Sequence, residues 1–181
     1  MCIVIDVNTF EKVFDTRNAH HKAFSPVYDW IIHDIGKLVF GGTTYEKETT
    51  DRSRRRLRII NTLRAMEKAV KIDFAKVDRE EQRLLSKPRP PKFNDPHLVA
   101  LLVVSKCQLI CSEDAEAYPH LQGRTNYPKG HKLPRIYSKN TDACRKLLCR
   151  ANCAECCGVC KKLNKVNRSF IADNLGGCYA A

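Results

Sequence analysis

The 181-residue chain is predicted to be an α/β protein: a three-layer α/β/α sandwich with a mostly parallel central sheet, extended at its C terminus by a Cys-rich helical segment. Three observations lead there. Short apolar runs bounded by turn residues alternate with stretches of helical periodicity, the pattern of strands covered on both faces by crossover helices. Two of those runs, Cys2–Ile5 and Leu109–Cys111, lead directly into acids: Asp6 after the first, Glu113 and Asp114 after the second. The length is that of one ordinary domain, able to bury a core without disulfides.

The elements follow in order. Residues 3–5 read as a buried strand and 9–14 as a short helix. Phe24, Tyr28, Ile31 and Ile32 recur at helical spacing, with Gly36 as the C-cap. Residues 37–40 form a second strand closed by Gly41-Gly42, and Thr43 or Thr44 caps a helix that carries Glu48. A long helix is expected over 51–70, with Leu57, Ile60, Leu63, Met66 and Val70 on its apolar side. Residues 70–74 alternate as a short strand, 78–85 form a helix, and the Pro-rich stretch 87–92 is a loop. A buried helix over 96–105, strands at 109–111 and 135–137, and a C-terminal helix capped by Asn140 or Thr141 complete the domain. Composition shifts near Leu148, so the chain divides into a domain over 1–150 and a basic, Cys-rich extension over 151–181.

Charge narrows the partner. Lys and Arg number 32 against 20 Asp and Glu, and residues 121–181 alone hold 12 basic against 3 acidic side chains. Such asymmetry suits a polyanion, because each cation that neutralises a phosphate releases counterions. A basic surface serving only solubility, or an acidic protein partner, is the competing explanation. The start of the chain lacks the basic region of a signal peptide, and no apolar stretch reaches the roughly 18 to 20 residues needed to span a bilayer. A soluble, cytoplasmic protein without a membrane partner is therefore expected. Its 10 cysteines are then thiols or metal ligands rather than structural disulfides.

Asp6, Glu48, Asp95 and Asp114 are the acids that a parallel sheet would bring to one edge, since ligand groups gather beyond the carboxyl ends of the strands. Four facing carboxylates repel unless a cation shares them, and hard ions such as Mg²⁺ or Mn²⁺ take oxygen ligands. Asn8 is placed to orient Asp6. Each acid also has a plain structural role open to it. Asp6 or Asn8 can cap the following helix, Asp95 before Pro96 is a good N-cap, Asp114 suits a turn, and Glu48 can be a surface acid like Glu46.

Taken in order, the motifs resemble a known family. Ile5-Asp6-Val7-Asn8, the stretch from Phe40-Gly41-Gly42-Thr43 to Glu46-Lys47-Glu48, Asn94-Asp95-Pro96-His97 with the apolar run behind it, and Cys111-Ser112-Glu113-Asp114 are similar to the PIN-domain nucleases, which include many toxins of bacterial toxin–antitoxin pairs. The resemblance covers about residues 1–150. It implies a PIN-like parallel sheet whose acidic quartet, Asp6, Glu48, Asp95 and Asp114, binds one or two Mg²⁺ or Mn²⁺ ions, with Asn8 and Ser112 orienting carboxylates or bound water. It implies an endonuclease, RNA being expected ahead of DNA, and opens the way to an antitoxin-like inhibitor; a homodimer is open separately, through the cysteine-rich tail. Glu46 and Glu48 compete for the second acid, because residues two apart on a helix face different directions.

Arg52, Arg54, Arg55, Arg56 and Arg58 follow the Glu48 segment and suit phosphate oxygens, or else form a solvated helix face. Lys129, His131, Lys132 and Arg135 make a second basic group, and Tyr118 and Tyr127 could stack on bases. In the tail, Cys149, Cys153, Cys156, Cys157 and Cys160 include two C-x-x-C pairs of zinc-like spacing. On a continuous helix, however, Cys149, Cys153, Cys156 and Cys160 form an apolar stripe along about 16 Å of axis, too long for one tetrahedral ion. A packed or dimerising helix face, a zinc or iron–sulfur site, and redox thiols all remain open. A metal site would need a break, as at Gly158, or a ligand from His120, His131 or Cys178. A non-catalytic nucleic-acid-binding protein with a zinc module, and a phosphatase of small esters, are the rival functions.

Overall fold

The computed structural model describes residues 1–52, 54–87 and 93–176, leaving aside the side chains of residues 52, 172, 173 and 176. Five strands form one sheet: β1 (Cys2–Ile5), β2 (Lys37–Phe40), β3 (Ala69–Lys71), β4 (Leu109–Cys111) and β5 (Arg135–Tyr137). They are all parallel, in the order β3-β2-β1-β4-β5. Every residue of β1, β2 and β4 is buried, so both faces of the sheet are covered. Among the described residues the helices are α1 (Phe10–Phe14), α2 (His21–Ile32), α3 (Thr43–Arg52), α4 (Arg54–Ala65), α5 (Phe74–Leu85), α6 (Pro96–Ser105), α7 (Tyr118–Leu121), α8 (Asp142–Arg145) and α9 (Lys165–Gly176). The arrangement is compatible with a three-layer α/β/α sandwich.

From β1 the chain winds outward through β2 to β3, then crosses back to β4 and continues to β5. The winding reverses between β1 and β4. In an open parallel sheet the crevice beyond such a switch point is where ligands bind, and β1 and β4 are the two strands that lead into Asp6 and Asp114.

Several boundaries differ from the sequence reading. Helix α2 ends at a C-cap on His33, whose amide donates to Asp29 O; Gly36 lies beyond, donating to Trp30 O at 2.9 Å. The expected helix over 51–70 is two elements and part of a strand. Glu67 adopts a left-handed φ of 56°, Lys68 N closes the turn onto Leu63 O at 2.7 Å, and β3 follows at once. Val70 therefore belongs to a strand, and the strand expected over 70–74 is shifted to Ala69–Lys71. Helix α5 begins a turn before the predicted 78, because the Asp73 side chain caps it by accepting from Lys76 N. The predicted loop over 87–92 lies almost wholly outside the described residues.

The tail departs furthest. Thr141 caps α8 through Cys144 N, but α8 is a single turn. Between α8 and α9 the chain makes 3-10 turns at Arg150–Asn152 and Glu155–Cys157, so the Cys residues do not lie on a continuous helix. Cys157 is joined to Cys2 of β1 by a disulfide, which corrects the expectation of thiols throughout. Two buried lysines hold the same segment: Lys37 Nζ donates to Cys157 O at 3.0 Å, and Lys68 Nζ donates to Lys161 O at 3.1 Å and Asp34 O at 2.6 Å. Ile171 and Leu175 of α9 are buried, so residues beyond 150 pack on the domain.

Candidate metal centre

The site starts where β1 ends. Asp6 N donates to Cys111 O at 2.9 Å, which extends the β1–β4 pairing by one residue and fixes Asp6 at the switch point. The Asp6 carboxylate is 4% exposed and accepts from Ser112 Oγ at 2.7 Å and from Asn8 N at 3.0 Å. The contact from Asn8 is made by its backbone amide, and the residue is exposed. Ser112 is fully buried, and its Oγ also accepts from Asp114 N at 3.2 Å. Asp114 Oδ1 in turn accepts from Glu116 N at 2.9 Å, closing a turn that holds it beside Asp6.

Helix α3 supplies Glu48. Gly42, at φ 90°, lets the chain turn from β2 into this helix, and a Cβ there would fall 2.6 Å from Val77 Cγ1. The helix start is capped from outside: Asp78 accepts from Thr43 N at 2.7 Å and Thr43 Oγ1 at 2.6 Å. Two residues on, buried Tyr45 donates its hydroxyl to Ile5 O at 2.7 Å, pinning α3 to the end of β1. Glu48, three residues after Tyr45, is the acid that meets the site, and Glu46 is exposed elsewhere.

Helix α6 supplies two more groups. Asp95 occupies the N-cap position, but its side chain makes no capping hydrogen bond, so the carboxylate is not consumed by the helix. His97, one residue past Pro96, is 3% exposed, and among the described residues its Nε2 has no hydrogen-bond partner. Ligand atoms of Glu48, Asp95 and His97 all lie within 4.8 Å of one another, with His97 Nε2 3.6 Å from Glu48 Oε2. The sequence reading quoted His97 and gave it no role. Its only sequence signal is a histidine two residues after a candidate ligand at a helix start.

Electrostatics tie the groups together. Burial, reinforced by Asp6 and Asp114, pushes the Asp95 carboxyl up to about 6. Burial also raises Asp6, against the Ser112 and Asn8 hydrogen bonds that lower it; Asp114 adds to the rise and Lys12 opposes it. Lys12 is paired with Glu113. Burial lowers His97 to about 4, which leaves a neutral imidazole, the form that binds metals. Tyr45 is held far above its usual range by burial, with Asp6 and Glu48 contributing, so it stays a neutral donor between them. A divalent cation fits this donor set: the half-buried carboxylates of Glu48 and Asp95, the latter raised by its acidic neighbours, and a neutral buried nitrogen with no hydrogen-bond partner among the described residues.

The basic residues are distributed otherwise. Arg55 binds Asp15 Oδ2 at 2.8 Å and Leu175 O at 3.3 Å, and Arg56, 6% exposed, binds Glu11 Oε1 at 3.2 Å. Both tie α4 to its neighbours. Arg54 is exposed, and the Arg52 side chain lies outside the described residues. Arg135 opens β5 opposite Leu109, and Lys132 lines a cleft of about 480 Å³ with Lys106, Lys129 and His131. These residues sit where the strands begin, at the opposite end from Asp6 and Asp114. Cys107, Cys153, Cys156, Cys157 and Cys160 gather at that same end, around Met1 and Cys2. Comparison of the chain with protein-family models, curated proteins and solved structures finds no match.

Proposed function

We propose that this protein is a divalent-metal-dependent endonuclease of PIN-like architecture that hydrolyses phosphodiester bonds, in RNA ahead of DNA. One observation carries the reading: Asp6, locked by Ser112 at the β1–β4 switch point, is electrostatically coupled to Asp95 and Asp114, and Asp95 adjoins Glu48 and His97. A bound cation would neutralise these carboxylates, lower the pKa of its water and stabilise charge on a phosphodiester. Glu48, Asp95 and His97 hold the ion, with Asp6 and Asp114 as the neighbouring acids. Ser112 and the Asn8 amide keep Asp6 in place. An imidazole among the oxygens favours Mn²⁺ over Mg²⁺, which prefers oxygen ligands and water. The basic excess supplies affinity for the polyanion. A cytoplasmic setting, an antitoxin-like inhibitor and a homodimer belong to the same proposal.

A second reading, a non-catalytic nucleic-acid-binding protein, is favoured by the position of Lys132 and Arg135 far from the acids. Cleavage of a panel of RNAs and of single- and double-stranded DNAs separates the two, with wild type and Asp6→Asn each assayed in Mn²⁺, Mg²⁺ and EDTA. The nuclease reading expects Mn²⁺-dependent cleavage of one substrate class that Asp6→Asn abolishes. Binding without acid-dependent cleavage establishes the rival.

A further inference from the structure

Cysteines collect at the N-terminal end of β1. Ligand sulfurs of Cys2, Cys156 and Cys157 lie within 4.8 Å of one another, and Cys156 Sγ is 4.0 Å from Cys157 Sγ. Cys153 and Cys160 are close by: Met1 N donates to Cys153 Sγ at 3.1 Å and to Cys160 Sγ at 2.6 Å, and both thiols act electrostatically on Cys156. Four thiolates around a tetrahedral ion at about 2.3 Å stand about 3.8 Å apart; Cys156 and Cys157 are near that spacing at 4.0 Å, and Cys2 and Cys157 can take it up only once their disulfide is reduced.

The surroundings suit an anionic cluster. Lys37 and Lys68 are buried lysines that donate to backbone carbonyls of the same loop, at Cys157 and Lys161. Buried ammonium groups need compensating charge, and a four-thiolate site around a divalent ion carries two negative charges. The helical stripe that argued against metal is broken by the 3-10 turns and by Gly158, at φ 52°. The ligand supplied from elsewhere is Cys2, across 155 residues of sequence.

We propose that Cys2, Cys156 and Cys157, with a fourth thiolate from Cys153 or Cys160, form a site for a thiophilic divalent ion such as Zn²⁺ that clasps the C-terminal extension to the start of β1. Cys149 is not part of it; its sulfur instead accepts from Asn152 Nδ2 at 3.9 Å. The joined Cys2–Cys157 pair is the metal-free, oxidised form. A dithiol reductant converts it to two thiols and is itself oxidised to a disulfide, with two electrons and two protons passing to the protein sulfurs. Binding the ion then releases the protons of the four thiols.

The test is made on the full chain, reduced with a dithiol under anaerobic conditions. Metal content is measured after Zn²⁺ loading, and a parallel sample receives Co²⁺, whose thiolate charge-transfer and intense tetrahedral visible bands report sulfur ligation. The proposal expects one tightly held sulfur-ligated ion per chain, read from the intensity of that spectrum. The sulfur–cobalt bands should be lost in Cys156→Ser and in the Cys153→Ser/Cys160→Ser pair, and retained in Cys149→Ser. A wild-type chain that is reduced and folded yet gives no sulfur–cobalt band overturns it. So does an undiminished sulfur–cobalt band in Cys156→Ser.

Discussion

Ser112 Oγ donates to Asp6 Oδ2 at 2.7 Å and at the same time accepts from the Asp114 amide at 3.2 Å. One buried hydroxyl therefore sets the spacing of two acids that enter from different strands. Ser112→Ala removes a hydrogen bond to a buried carboxylate, which costs about 1.5 to 3 kcal/mol. Denaturant unfolding in EDTA should show that loss. Addition of Mn²⁺ should recover less stability in the variant than in wild type. Equal Mn²⁺ stabilisation of both proteins would show that Ser112 does not organise the site.

The linkage of His97 and Asp95 gives a pH signature. His97 is lowered to about 4 in the fold from 6.5, so between those values the unfolded chain binds more protons and stability rises with pH. Asp95 is raised from 3.8 to about 6, so there the folded chain binds more protons and stability falls with pH. The two oppose each other between about 4 and 6. In EDTA, His97→Phe should tilt the stability–pH slope across that window downward, and Asp95→Asn should tilt it upward. Unfolding midpoints at a series of pH values decide it; slopes unchanged in both variants would refute the assignment.

Tyr45 couples α3 to β1. Tyr45→Phe leaves the Ile5 carbonyl without its hydroxyl partner, at a cost of about 1 to 3 kcal/mol. Because Glu48 rides on the same helix, Mn²⁺ affinity measured by calorimetry should fall as well. A stability loss with unchanged affinity would separate the anchor from the site.

Arg56 and Lys132 should behave oppositely. Arg56→Ala removes a buried guanidinium and its contact with half-exposed Glu11 and should lower stability by about 0.5 to 1.5 kcal/mol. It should leave the salt dependence of RNA binding unchanged. Lys132→Ala should spare stability and flatten the salt dependence, as expected for a lost phosphate contact. Binding titrations across a range of salt concentrations, paired with unfolding curves, separate the two.

The parts of this architecture readable from sequence are those with local causes. Helix α6 was visible because Asp95-Pro96 starts it and an apolar run fills it; its predicted bounds match Pro96–Ser105. The strands at 37–40, 109–111 and 135–137 were visible as apolar runs between turn residues. The end of α4 was not, because Met66 and Val70 continue its periodicity while Glu67 breaks the backbone. Nor was the tail: cysteines at helical spacing imitate a stripe, and their true partner Cys2 is distant in sequence. Asp6, Glu48, Asp95 and Asp114 could be named one by one, and the choice of Glu48 over Glu46 needed the Tyr45 anchor. His97 escaped because its burial, and the approach of its ring to Glu48 and Asp95, are set by packing that no local pattern encodes.

Single-turnover cleavage of a single-stranded RNA across a range of Mn²⁺ concentrations, with wild type beside Asp6→Asn, tests the central claim most directly. The acidic-centre account predicts a saturable Mn²⁺ dependence in wild type, abolished by EDTA, and a rate lower by roughly a hundredfold to a thousandfold in the variant. Equal rates for the two proteins, or cleavage that persists in EDTA, would contradict it.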